Sequence, residues 1–158
     1  LPPFFENFNK RVIKMPKLYF YDTGLLCHLL GIHHLTHLEV HPLRGPLFEN
    51  ALILECLKAR VGRNFPPGLS FWRDQKGYEV DLLAQWGGGL YAVELKSGGT
   101  FQPEFIQNVR YFCGLAPQAQ PYLVYGGNLD GAYQGVPWVP ADRLNAVFFG
   151  PEGIGSQL

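Results

Sequence analysis

EVDLLAQWGGGLYAVELKS, Glu79 to Ser97, sets two alternating runs on either side of three consecutive glycines. Glycine takes the positive φ angles that a tight hairpin turn demands, so strands are expected over Tyr78–Trp86 and Leu90–Ser97. In the second run a period of two puts Leu90, Ala92, Glu94 and Lys96 on one face and Tyr91, Val93 and Leu95 on the other. A hairpin centred on Gly88 leaves Asp81 and Glu94 nearly opposite, with Cβ atoms about 5 Å apart. A small bulge or fork at the strand ends then lets both carboxylates reach one point.

Two carboxylates so close repel, and in a partly dry site one takes up a proton unless a cation is present. Mg²⁺ or Mn²⁺ suits such a pair, because Mg²⁺ prefers oxygen ligands and is usually held by one or two carboxylates plus waters and substrate phosphate. Asp81 and Glu94 are therefore the candidate metal ligands. Lys96, charged and so not a ligand, is a candidate to position the attacking water or to neutralise charge on phosphorus. The ordinary alternative is an exposed Glu94–Lys96 ion pair worth little energetically.

Before the hairpin, GPLFENALILECLKARVG predicts a helix from Pro46 to Gly62, with Pro in its first turn and apolar residues at helical spacing. Glu49 falls in that first turn and shares a stripe with Ile53, Cys56 and Arg60, which makes it a fourth candidate catalytic residue. A Glu there is also favourable to the helix dipole with no further purpose. Leu69–Asp74 reads as a strand completing a three-stranded antiparallel meander. QPEFIQNVRYFCGL reads as another helix, PYLVYGG as a short strand, and the tail as an edge strand between prolines followed by a last helical turn or two. Farther upstream, KLYFYDTGLLCHLLGI reads as strand-like aromatics leading into a helix capped by Asp22 or Thr23 and stopped at Gly31. HHLTHLEVHPLRG reads as a loop or frayed helix.

At 158 residues, with 47% apolar and 16% charged, the chain is expected to form one globular domain over residues 1–158. Net charge is zero, which removes the overall basic signature of non-specific nucleic-acid binding. Local basic density remains in KRVIKMPK, with Lys10, Arg11, Lys14 and Lys17 serving either as a solvated face or linker or as a phosphate contact. Any nucleic-acid affinity is accordingly expected to be weak and salt-dependent. Three widely spaced cysteines without a C-x-x-C pair suggest reduced thiols and a cytoplasmic setting. No apolar run reaches membrane-span length, so no membrane partner is expected. His28, His33, His34, His37 and His41 include i,i+4 pairs able to share a metal, but Gly31 and Pro42 limit any helix and no third ligand of a known zinc pattern stands nearby. Trp72, Trp86 and Trp138 read as packing residues, not base-stacking platforms.

The ordered set of helix Glu49, EVD ending in Asp81, a glycine-rich turn and ELK with Glu94 and Lys96 resembles the PD-(D/E)xK nuclease-like superfamily. Here the Pro of the P-D pair is absent. Over nearly the whole chain, PKLYFYDTGLL, GPLFENALILECLK, FWRDQKGYEVDLL and AVELKSG are similar to the C-terminal domain of a prokaryotic family of AAA-type ATPases. The resemblance implies an α/β restriction-endonuclease-like core, a mixed sheet containing the antiparallel meander and flanked by helices. It implies a candidate Mg²⁺-dependent phosphodiester hydrolase acting on DNA, with Glu49, Asp81, Glu94 and Lys96 as its site. It also implies an ATPase portion of the same protein as partner, with residues 1–17 a candidate linker to it. No G-x-x-x-x-G-K-[ST] occurs here, so ATP would bind only in that other portion. Fold and motif also persist in catalytically silent regulatory or partner-binding modules, the competing expectation.

Overall fold

The computed structural model describes residues 1–4, 15–66 and 68–144. Its centre is the hairpin of β2 (Glu79–Trp86) and β3 (Gly89–Lys96). Gly87 and Gly88, at φ +53° and +78°, form the two-residue turn and Trp86 pairs with Gly89. Only a turn with both central φ angles positive matches the twist of the flanking strands, which is why glycine stands at both positions. The hairpin is thus centred between Gly87 and Gly88, not on Gly88 as expected. Continuing the ladder one step beyond its last pair, Leu82 with Val93, sets Asp81 directly against Glu94.

β1 (Leu69–Arg73) runs antiparallel to β2, completing the expected meander. Ser70 faces Leu83 while Trp72 faces Val80, so Phe71 alone opposes both Asp81 and Leu82. This two-against-one arrangement is a β-bulge, a device that bends a strand and re-aims a side chain. Its effect shows in the packing: Val80 and Leu83 join one core and Leu82 the other, which strict alternation forbids.

Past β3 the chain crosses over through a 3-10 turn (Pro103–Ile106) and a helix, α4 (Gln107–Leu115), and returns as β4 (Ala119–Tyr125), parallel to β3. β5 (Gly131–Tyr133) and β6 (Val136–Pro140) finish a six-stranded mixed sheet in the order β1-β2-β3-β4-β6-β5. The tail strand was expected at an edge, but β6 lies inside, parallel to β4 and antiparallel to the short edge strand β5. Gln134 and Gly135, both at positive φ, supply the turn between β5 and β6. The last helical turn expected after Arg143 lies outside the described residues.

Helices cover both faces. On one, Ile106, Val109 and Phe112 pack against Trp72, Val80, Leu83, Leu90 and Ala92. On the other, α3 (Arg44–Val61) sets Leu52, Ile53 and Cys56 against Leu82, Ala84, Tyr91, Val93 and Leu95. α3 begins two residues before Pro46, so Glu49 sits in its second turn, where the dipole explanation for a helix Glu no longer applies. Trp72 and Trp86 are buried and Trp138 stacks on Phe101, as packing residues should.

Two short helices precede α3. α1 (Thr23–Leu29) is capped by Asp22, whose Oδ1 accepts the Leu25 N–H at 2.8 Å, and it ends before Gly31 at φ +72°. α2 (Leu35–Val40) is a formed helix where a loop or frayed helix was expected. The aromatic run Lys17–Tyr21 before α1 joins no strand ladder among the described residues. Asn50, buried on α3, anchors it: Oδ1 accepts the Phe20 N–H at 2.8 Å and Nδ2 donates to Phe20 O at 3.0 Å. Of the candidate linker, residues 5–14 lie outside the described set. Leu1–Phe4 run beside β1, with Phe4 N–H donating to Phe71 O at 2.7 Å.

Candidate functional site

The site forms where the hairpin's open end meets α3. The β2–β3 ladder stops at Leu82 and Val93, and the Asp81 side chain replaces it, with Oδ2 accepting the Leu95 N–H at 2.9 Å. Asp81 therefore sits in the notch between the strands, a place prepared by the bulge. Lys96 Nζ donates to Glu94 Oε1 at 2.6 Å and stands 3.7 Å from Asp81 Oδ2, so one ammonium bridges the two carboxylates.

Glu94 is only 1% exposed. Its Oε1 is held by Lys96, while Oε2 receives no hydrogen bond among the described residues. Asn108 of α4 favours the charged form of this carboxylate without closing a bond to Oε2. Burial, reinforced by the neighbouring Asp81, nonetheless pushes Glu94 up to about 8. Burial likewise raises Asp81, to about 6, with Lys96 opposing and Glu49 assisting the shift. The two carboxylates and the ammonium thus titrate as one unit. Lys96 itself is raised: burial works against its charge, but Glu94 and Asp81 together outweigh it.

Glu49 arrives from α3. It accepts hydrogen bonds from Tyr19 Oη and, at 2.8 Å, from Lys17 Nζ. Lys17 also pairs with Glu79, which in turn pairs with Arg73 across β1. Burial opposes the charge on Glu79, yet its bonds to Arg73 and Lys17 hold it below the usual carboxylate range. Burial also disfavours charge on Lys17, but Glu49 and Glu79 raise it overall. Tyr19 is pushed far above its ordinary value, first by burial and then by Glu49, so it stays a neutral donor.

Asp81, Glu94 and Lys96 are thus brought together, with Glu49 adjoining. The tightest acidic group is a different one. Glu49, Glu79 and Asp81 each offer an oxygen, and these lie within 4.8 Å of one another. Sequence alone does not single out Glu79, although EVD places it two positions before Asp81, the spacing that returns a strand residue to the same face. Lys17 and Tyr19 were passed over as well. Lys17 was counted with a solvated or phosphate-facing basic segment, whereas it is directed into the acidic cluster; Lys10, Arg11 and Lys14 lie outside the described residues. Nothing local to PKLYF signals this, because Glu49 is supplied from beyond two helices.

The donor set fits a hard divalent cation. All its ligand atoms are oxygens and the three carboxylates of Glu49, Glu79 and Asp81 converge, while Glu94, outside that group, has a buried Oε2 without a hydrogen-bond partner among the described residues. Among the described residues no histidine enters a comparable group of three. Rings of His28 and His33, and of His34 and His37, instead meet edge to face. No helix of the described residues is long and apolar enough to cross a membrane.

An uncharacterized protein of Mycobacterium tuberculosis and another of Mycobacterium bovis are each 36% identical over 145 residues, covering 91% of this chain and 32% of theirs. The chain therefore spans about a third of the length of the curated relatives it matches. No solved structure matches it. Residues 1–36, which carry Lys17 and Tyr19, match the domain of unknown function DUF8612. Residues 44–144, from the start of α3 past the last strand, match the domain of unknown function DUF4143, and with that match over more than half its length the chain belongs to the DUF4143 family.

Proposed function

We propose that the chain is a nuclease-like domain of an AAA-type ATPase, acting as a Mg²⁺-dependent phosphodiester hydrolase on DNA. The observation that carries this reading is the single ammonium of Lys96 bridging Asp81 and Glu94 beside Glu49 at the open end of the hairpin. DUF4143 is commonly a C-terminal domain of AAA-type ATPases, which supports the ATPase portion as partner.

Asp81 and Glu94 would hold the cation, with Glu49 and Glu79 as further oxygen donors, direct or through water. A bound Mg²⁺ supplies charge neutralisation at phosphate and a more acidic water. Lys96, which its raised pKa keeps charged at neutral pH, would orient that water or stabilise negative charge developing on phosphate oxygens. Leu95 N–H fixes the Asp81 carboxylate, so its position costs no reorganisation during the reaction.

A second reading, a catalytically silent regulatory module, is favoured by a specific feature. Lys17 pairs with Glu49 and Glu79, Arg73 with Glu79, and Lys96 with Asp81 and Glu94. Three cations face four carboxylates, and a proton held by Glu94, raised to about 8, balances the network without a metal.

Nuclease assays on single- and double-stranded DNA with Mg²⁺ or Mn²⁺, run beside calorimetric Mn²⁺ titration, separate the two. The hydrolase reading expects Lys96→Ala to lose cleavage by about 10²-fold or more while Mn²⁺ binding persists, and Asp81→Ala to lose both. No cleavage and no metal binding by the wild type, alone or joined to its ATPase portion, would leave the silent module.

A further inference from the structure

We propose that Lys17 is the site's own counter-cation and that a divalent ion must displace it, so that the segment Lys17–Tyr21 is a strap responding to metal occupancy. This rests on the cation-binding reading above. Three carboxylates of Glu49, Glu79 and Asp81 converge within 4.8 Å, and Lys17 Nζ bridges two of them. Tyr19 Oη donates to the same Glu49 Oε1 that Lys17 holds. A divalent ion drawing on Glu49 Oε1 and Glu79 Oε1 competes with Lys17 for both oxygens and with Tyr19 for the first. Two positive charges drawing on the same oxygens repel strongly, so occupancy by one disfavours the other.

The strap is held at a small number of points. Its anchor is the backbone of Phe20, clamped by Asn50, while among the described residues the Lys17 backbone pairs with Leu1: Lys17 N–H donates to Leu1 O at 3.0 Å and Leu1 N to Lys17 O at 2.6 Å. Between these points Leu18 is 86% exposed, while Tyr19 packs against the core beneath α3, so release of the strap has to give up that burial. Open pockets of about 360 and 320 Å³ flank Lys17 and Tyr19, giving the displaced side chains room without disturbing α3. Beyond Phe20 lies the start of α1, so metal occupancy would be communicated to the helices before α3.

The test is Mn²⁺ titration by calorimetry on the wild type, Lys17→Met and Arg73→Met, with hydrogen exchange of residues 17–21 measured with and without Mn²⁺. Lys17→Met is expected to bind Mn²⁺ about tenfold tighter, and Arg73→Met, which removes a charge touching Glu79 but not Glu49, distinctly less. In the wild type, saturation with Mn²⁺ should speed exchange across residues 17–21. Equal gains in both variants, no gain in Lys17→Met, or unchanged exchange would overturn the strap while leaving the metal site standing. Absence of Mn²⁺ binding in wild type and Lys17→Met alike overturns the metal site and the strap together. The exchange measurement needs no variant, so a poorly folding Lys17→Met does not shield the proposal.

Discussion

The two ends of the β2–β3 hairpin are made of opposite chemistry. At the turn, Trp86 packs on Phe65 with ring centroids 4.7 Å apart, and the Arg60 guanidinium lies over the Trp86 ring while donating to Gln85 O at 2.9 Å. Leu90 and Tyr91 are buried beside it, and the ladder is regular. At the open end the ladder is broken by a bulge, a carboxylate replaces a backbone acceptor, and Glu94 is buried with one oxygen unpartnered among the described residues. The turn end is held by packing, whereas the open end gives up stability to keep charges together. Functional sites often carry strain of that kind, and structural ion-pair networks carry it too.

The comparison breaks first where packing is removed. Trp86→Ala is expected to destabilise by about 3–5 kcal/mol, through lost burial and the cavity left behind, without changing the response to Mn²⁺. Denaturant unfolding with and without the metal checks this. An altered metal response would mean that the two ends are coupled and not separately built.

A smaller effect sharpens the contrast at the open end. Glu94 at about 8 and Asp81 at about 6 both lie above their ordinary values because of burial. A carboxyl raised in the folded state contributes stability below its unfolded pKa and loses that contribution as pH rises toward the folded one. Metal-free protein should therefore become less stable between pH 5 and pH 8, by on the order of 2–4 kcal/mol. Glu79, held low, loses its contribution only in acid, and the raised Lys17 and Lys96 lose theirs only well above neutrality, so none of these masks the trend. Glu94→Gln should flatten most of the slope. Urea midpoints across that range in a chelator decide it; a slope of opposite sign would place Glu94 in its ordinary range and remove the strain.

The smallest expected effect is the control for charge in general. Glu55 and Lys58 form an exposed i,i+3 pair on α3, 3.1 Å apart. Lys58→Ala should change stability by less than about 0.5 kcal/mol, because water screens such a pair. Thermal melts measure it. A larger loss would mean that exposed charges stabilise this fold generally and that the open end is not special.

Much of this molecule could be read before its coordinates. Three glycines between alternating runs specify a hairpin, Leu52, Ile53 and Cys56 mark the buried stripe of α3, and Asp81, Glu94 and Lys96 are near in any register with a short turn at Gly87–Gly88. Local signals suffice there because period and turn chemistry act over a few residues. β5 was missed, since GAY has too few residues to show a period, and β6 consequently looked like an edge. Glu79 was missed because its role comes from Lys17 and Arg73, which no pattern within β2 reveals.

By itself, then, the sequence determined the hairpin, the helix on each side of it, and the three charged residues that the hairpin must carry at one end, because each follows from spacing along the chain. Only the tertiary structure decided which atoms meet. The bulge that frees Asp81 depends on how β1 is registered against β2. The cation beside Glu49 comes from a segment anchored through Asn50, and the buried state of Glu94 comes from the helix laid over it. Desolvation and ion pairing act through space, so contacts between residues 30 or more positions apart set the charge state of this site.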